Sequence, residues 1–184
     1  DGTAATTRRI AALDNLAISP ASFAFLNERI YCLGFAEDWS SGSIYSAPVA
    51  GGSPEELLQQ CVGGFCYPLY ENLWIETVGD RLVFSRREPG VSTVWSSDGV
   101  FGGIPSEIAP LCSDADCQWT GYPPVGQGDE LLFLRRLSGP GALELWRSDG
   151  TADATFRLAG PFPVLSWPPL GGESPLTRSV ARNL

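Results

Sequence analysis

Histidine is absent from the 184-residue sequence. With it go the Ser-His-Asp and Cys-His nucleophile systems and the usual ligand set of zinc hydrolases. Methionine is absent as well, and a chain with no initiating Met is expected to be a segment of a longer protein. No apolar run is long enough for a transmembrane helix, and no signal peptide stands at the N-terminus. Basic charge is scarce: 12 Lys and Arg against 21 Asp and Glu give 12 − 21 = −9. That balance argues against nucleic acid and anionic membrane as partners, because phosphate binding needs clustered cations. What remains is 43% hydrophobic, enough to bury a core.

The chain repeats itself about every fifty residues. Tyr45, Trp95 and Trp146 stand at steps of 95 − 45 = 50 and 146 − 95 = 51. Each copy carries four short strand patterns between Gly, Pro, Asn and Asp punctuation. The most regular run is Arg29 to Cys32, Arg81 to Phe84 and Glu130 to Phe133, entered through the turn pairs Asn27-Glu28, Gly79-Asp80 and Gly128-Asp129. Gly accepts positive φ and Asp bonds back to nearby backbone, so the Gly-Asp pairs predict tight hairpins. A period of this length with strand signals predicts an all-β chain, a β-propeller of four-stranded blades. The blades fall at 21–61, 73–112 and 122–160, with 1–13 as the last strand of a preceding blade and 164–184 as the start of a next one. Closed propellers have about four to eight blades, so a fragment is expected, with a four-bladed closure as the alternative.

Within the third copy, Glu144-Leu145-Trp146-Arg147-Ser148-Asp149-Gly150-Thr151 resembles the ELWxxDGT repeat of large secreted or surface-attached bacterial proteins. Thr93 to Gly99 is a weaker copy, Asp1-Gly2-Thr3 a truncated one, and Ile44 to Gly52 has lost the Asp-Gly. The resemblance implies an extracytoplasmic propeller and brings no catalytic residue with it. Read from the residues themselves, Trp95 and Trp146 are expected to pack between blades, with Tyr45 at the equivalent position of the first copy. Asp98-Gly99 and Asp149-Gly150 are expected to form turns in which the Asp accepts backbone N–H bonds.

Cys61 and Cys66 recur as Cys112 and Cys117, each offset by 51. A C-x4-C pair at the end of a blade reads as a small disulfide loop formed in an oxidising compartment, stabilising by roughly 2 kcal/mol. A four-Cys zinc site is the rival, without the Cys-x2-Cys knuckle such sites favour. Cys32 stands where Phe84 and Phe133 stand in the other copies, so it is expected to be a buried thiol.

Few residues remain for chemistry. Asp114 and Asp116 have a D-x-D spacing that would suit calcium if further oxygens converged, against a solvated acidic loop. Arg86-Arg87 and Arg135-Arg136 recur at a step of 49, either lining a rim or covering apolar surface. Trp39, Trp74 and Trp119 do not repeat and are the candidates for binding a sugar or peptide, against packing as extra core under loops. No cofactor or metal is expected. The function read from this pattern is a non-enzymatic, extracellular recognition or scaffold module for a protein or glycan partner. The alternative is the propeller portion of a secreted hydrolase or oxidoreductase whose catalytic residues lie elsewhere.

Overall fold

The structure, a computed structural model, describes residues 16–36, 40–62, 73–88, 91–100, 102–112, 124–137 and 142–163. It is all-β. The first sheet comprises β1 (Leu16–Leu26), β2 (Arg29–Ala36), β3 (Ser41–Pro48) and β4 (Glu55–Val62). The second comprises β5 (Ile75–Val78), β6 (Arg81–Glu88), β7 (Val91–Ser97) and β8 (Ser106–Cys112). The third comprises β9 (Val125–Gln127), β10 (Glu130–Arg136), β11 (Ala142–Ser148) and β12 (Phe156–Pro163). In all three sheets each strand pairs antiparallel with the next one in sequence. The first sheet begins earlier than the sequence suggested, because β1 runs from Leu16 across an irregular stretch between Ile18 and Phe23 that contains Pro20. A proline cannot donate to the ladder and is tolerated at such a break.

The turn chemistry sets the register. Gly79 and Gly128 take positive φ of 57° and 61° at the first position of two-residue loops, as a II′ hairpin requires. In the first sheet Asn27 and Glu28 are both positive, at 51° and 59°, the pattern of a I′ turn. The pairing of third and fourth strands is interrupted at the same repeat position in every sheet: beside Tyr45, beside Trp95 and beside Trp146. Such bulges increase the local twist of the strand.

The sheets stack face to face, and strand alternation divides their residues between two cores. Between the first and second sheets lie Tyr31, Leu33, Phe35, Ile44, Leu82 and Phe84, with Trp95 packed against them. Between the second and third lie Val78, Val83, Val94, Leu111, Leu131 and Phe133, with Trp146 against them. Leu82 and Phe84 face one way and Val83 the other, so β6 is buried on both faces, as a period of two demands. The first strands of consecutive sheets lie together, β1 against β5 and β5 against β9. Two inter-sheet hydrogen bonds tie these edges, from Thr77 Oγ1 to the Phe25 carbonyl at 2.8 Å and from Gly79 N to the Gly128 carbonyl at 3.3 Å.

Candidate functional site

The repeated Ser-Asp-Gly segment closes its own turn and also docks on the sheet before it. Ser97 Oγ accepts from Gly99 N at 3.1 Å and Asp98 Oδ1 from Val100 N at 3.0 Å. The third sheet repeats both bonds, Ser148 Oγ to Gly150 N at 2.9 Å and Asp149 Oδ1 to Thr151 N at 2.9 Å. The Thr151 hydroxyl adds a 2.7 Å bond to the same Asp149 oxygen, and these bonds hold the Asp149 carboxyl below the ordinary aspartate range. Gly99, at φ 74°, sits so close to the first sheet that a Cβ there would lie 2.6 Å from the Tyr31 hydroxyl oxygen. That hydroxyl donates to the Gly99 carbonyl at 2.9 Å. Gly150 takes the corresponding place against the second sheet, 3.0 Å from the Arg81 side chain by the same measure. Burial raises the Tyr31 phenol above its ordinary range, the Arg29 charge pulling it back and the Asp98 charge adding to it.

The tryptophans form the second repeated unit. Each is half-buried on the core shared with the preceding sheet, each lies opposite a phenylalanine, Phe84 or Phe133, and each carries an arginine over its ring. Arg86 lies 4.9 Å from the Trp95 centroid and Arg135 5.2 Å from that of Trp146. These arginines therefore cover apolar surface, the second of the two roles the sequence left open. The surroundings differ in charge. The Trp95 indole donates to Thr93 Oγ1 at 2.6 Å, whereas the Trp146 indole donates to Glu144 Oε2 at 3.0 Å. Glu144 is buried and also accepts from Arg157 at 2.9 Å, with Arg135 at 3.9 Å. Burial alone would raise its pKa, but the bonds from Arg157 and Trp146 and the two guanidinium charges outweigh burial and hold the carboxyl below the ordinary range. A carboxylate so engaged is a latch and has no free proton to move. Glu144 and Arg157 were not singled out from the sequence, because the matching positions in the second sheet are Thr93 and Glu107. The substitution of one copy against another was the available signal.

The remaining expected residues divide by position. Tyr45 is half-buried opposite Cys32. Cys32 is a buried free thiol, pushed up to about 11 by burial. Trp74 is only 5% exposed and belongs to the second core, with its backbone N–H bonded to Ser85 Oγ at 3.0 Å; it is a core residue and offers no face to a ligand. Cys61 and Cys112 are buried near the ends of β4 and β8, and Cys32 is the free thiol among the described cysteines. Cys66, Cys117, Trp39, Trp119, Asp114 and Asp116 lie outside the described residues, as do the expected flanking blade pieces 1–13 and 164–184. Among the described residues, no group of three or more His, Cys, Asp or Glu side chains is placed to hold a metal ion, and no helix is long and apolar enough to cross a membrane. Burial raises the Glu76 carboxyl on β5 and lowers the Arg87 guanidinium on β6.

The two ends of the sheets carry different kinds of connection. At one end lie the short hairpin turns at 27–28, 79–80 and 128–129 together with the Asp-Gly turns, and the two sets adjoin: Val49 N donates to the Glu28 carbonyl at 2.8 Å. From the opposite end leave the connections between β2 and β3, β4 and β5, β6 and β7, β8 and β9, and β10 and β11. Cys66, Cys117, Trp39, Trp119, Asp114 and Asp116 belong by sequence to those connections, and Cys61 and Cys112 stand at the ends of the strands that lead into two of them.

No family model matches the chain, and no curated protein matches it. Among solved structures, it is similar to the AtxE2 isopeptidase, in an S527A variant with Astexin3-dC4 bound, at a TM-score of 0.50 and 15% identity over 80% of this chain. The match spans 22% of that isopeptidase chain. A computationally designed protein, Ika4, matches at a TM-score of 0.39 and 13% identity, covering 83% of this chain and 78% of that one. Likeness at these identities concerns the fold alone.

Proposed function

We propose that the chain is a run of three successive blades of a β-propeller, and that it serves as a non-enzymatic recognition or scaffold module. One observation carries the reading. In the second and third sheets the glycine of the Ser-Asp-Gly turn lies against the preceding sheet, and the recurring tryptophan packs on the core shared with it. First strands gathered against one another are what radial blades require, and a residue repeated in each unit serves the unit-to-unit interface. Recognition then falls to the non-repeating connections at the opposite end, with Trp39, Trp119, Asp114 and Asp116 as contact residues for a protein or glycan. Export, membership of the ELWxxDGT repeat family, the pairing of Cys61 with Cys66 and Cys112 with Cys117, and further blades in a longer parent belong to the same proposal.

The test is a screen of the purified chain on glycan and peptide arrays, alongside a variant with Trp39→Ala and Trp119→Ala. The expected result is a discrete set of ligands that the double variant no longer binds. Turnover of a glycoside or peptide by the chain, dependent on acids in the Glu37-Asp38 or Asp114-Asp116 segments, would overturn it in favour of an enzyme.

A further inference from the structure

Strand alternation splits the arginine pair of the second sheet. On β6, Arg86 shares the face of Phe84 and lies over Trp95, so Arg87 stands on the opposite face, which carries Val83 and meets the third sheet. There it shares a cross-strand row with the buried Ser92 and Cys112. That row lies at the end from which the connections between β6 and β7 and between β8 and β9 leave. Other arginines are engaged: Arg29, Arg147 and Arg157 pair with Glu55, Glu130 and Glu144, and Arg86 and Arg135 lie on indole rings. Arg87 is half-buried, yet it has no hydrogen bond, ion pair or ring contact among the described residues. Burial lowers its pKa, the direction expected of a cation that has lost water without gaining an opposite charge.

We infer that Arg87 is an anion-binding residue of the loop-bearing end of the sheets, and that it takes a single carboxylate of the ligand. The inference rests on the recognition reading proposed above and adds the chemical class of what is bound. A half-desolvated guanidinium without a counter-charge is costly to keep, and its planar fork matches a carboxylate through two parallel N–H···O bonds. The net charge of −9 repels highly charged anions, which favours one carboxylate over a polyanion. The place suits the task, because the connection that leaves β8 beside Arg87 carries Trp119 by sequence. Of the two roles open to the arginine pair, Arg86 therefore covers apolar surface and Arg87 lines the rim. The carboxylate is that of an acidic sugar or of an acidic peptide side chain, and the chemistry at Arg87 is the same for both.

The test titrates the 184-residue chain with sodium glucuronate and, separately, with N-acetylaspartate amide, while the Arg87 Nε–H is followed by nuclear magnetic resonance. Glucose and N-acetylasparagine amide at equal ionic strength are the neutral counterparts. One acid is expected to shift the Arg87 signal saturably, its neutral counterpart to leave it unmoved, and Arg87→Gln to weaken binding at least tenfold. Which acid does so identifies the source of the carboxylate. Silence from both acids, equal binding of the neutral counterpart, or undiminished binding by Arg87→Gln overturns the inference. Should Arg87→Gln lose its circular dichroism, the neutral counterparts carry the test on the unaltered chain. Coupling of Arg87→Gln with Asp114→Asn or Asp116→Asn in urea unfolding would give the guanidinium an internal partner, and that also overturns it. The array screen separates the two readings. Ligands that need Trp39 and Trp119 but carry no acid leave the recognition module standing without Arg87, whereas a chain that binds neither an array ligand nor an acid overturns both.

Discussion

The second sheet and its two neighbours are built from the same strand pattern but experience different surroundings. In the second sheet β6 places Leu82 and Phe84 in one core and Val83 in the other, all fully buried. The first and third sheets share one face each with a neighbouring sheet, and on their other faces Phe23, Phe25, Val125 and Leu132 are exposed. Residue type therefore does not tell which apolar side chains hold this fold together; the presence of a neighbouring sheet does. Hydrophobic stabilisation follows area removed from water, so equivalent positions in different sheets should carry different weight.

The sharpest way to break this comparison uses Ile75 and Phe23, which occupy the same place in their sheets. Ile75→Ala removes a side chain that is 1% exposed and should cost about 2–5 kcal/mol. Phe23→Ala removes a larger one that is 45% exposed and should cost at most about 1 kcal/mol. Urea unfolding at dilutions that keep the chain monomeric reads both. Equal losses would mean that the first sheet's outer face is covered after all.

Glycine at the docking turn ranks next. Gly99→Ala must place a Cβ at φ 74°, 2.6 Å from the Tyr31 hydroxyl, and should cost on the order of 1–3 kcal/mol. Gly102 has a similar φ of 80° with nothing within 4 Å of its Cβ position, so Gly102→Ala should cost less by the contribution of the lost contact with the first sheet. Thermal unfolding of the two variants isolates that contact, and the idea fails if they melt together.

Much of this was legible in the sequence, for a reason that also limits it. Strand alternation, Gly-Asp turns and the aromatic step are local or periodic properties, so four strands per copy and their register could be read from composition and spacing. The docking of Gly99 on Tyr31 links residues 68 positions apart, and nothing local marks Tyr31 as its partner. Trp74 does not recur, and the sequence left it between a binding loop and extra core; its side chain belongs to the second core with Val83 and Phe133, the packing alternative. The connections bearing Trp39, Trp119, Asp114 and Asp116 were legible as the variable part of each copy, and as no more than that.

The latch at Glu144 separates the third sheet from the second by charge rather than by burial. Its carboxyl is held below the ordinary glutamate range in the folded chain and returns to about 4.3 on unfolding. The folded state therefore binds its proton less readily. Glu144 contributes stability that is fully present above the unfolded pKa and is lost as pH falls through the lowered folded value. Glu144→Gln keeps the shape and an acceptor for Trp146 but abolishes that titration. Stability measured from neutral pH into acid should fall less steeply in the variant, and superimposable profiles would show that the ion pairs with Arg157 and Arg135 add nothing.

The smallest effect belongs to the arginine over Trp95, and it refines the comparison where burial is matched. Arg86 is about a third exposed, at 30% for its side chain, and also pairs with the exposed Glu88 at 3.1 Å. An exposed ion pair contributes about 0–1 kcal/mol and an exposed cation over an aromatic about 0.5–1 kcal/mol. Arg86→Lys keeps the charge near Glu88 but gives up the planar guanidinium stacked on the ring. If the ring contact dominates, Arg86→Lys should lose nearly as much as Arg86→Ala, and the Trp95 emission should shift in both. A lysine variant indistinguishable from wild type would assign the stabilisation to Glu88 and leave the repeated arginine above each tryptophan as a cover for the indole face alone.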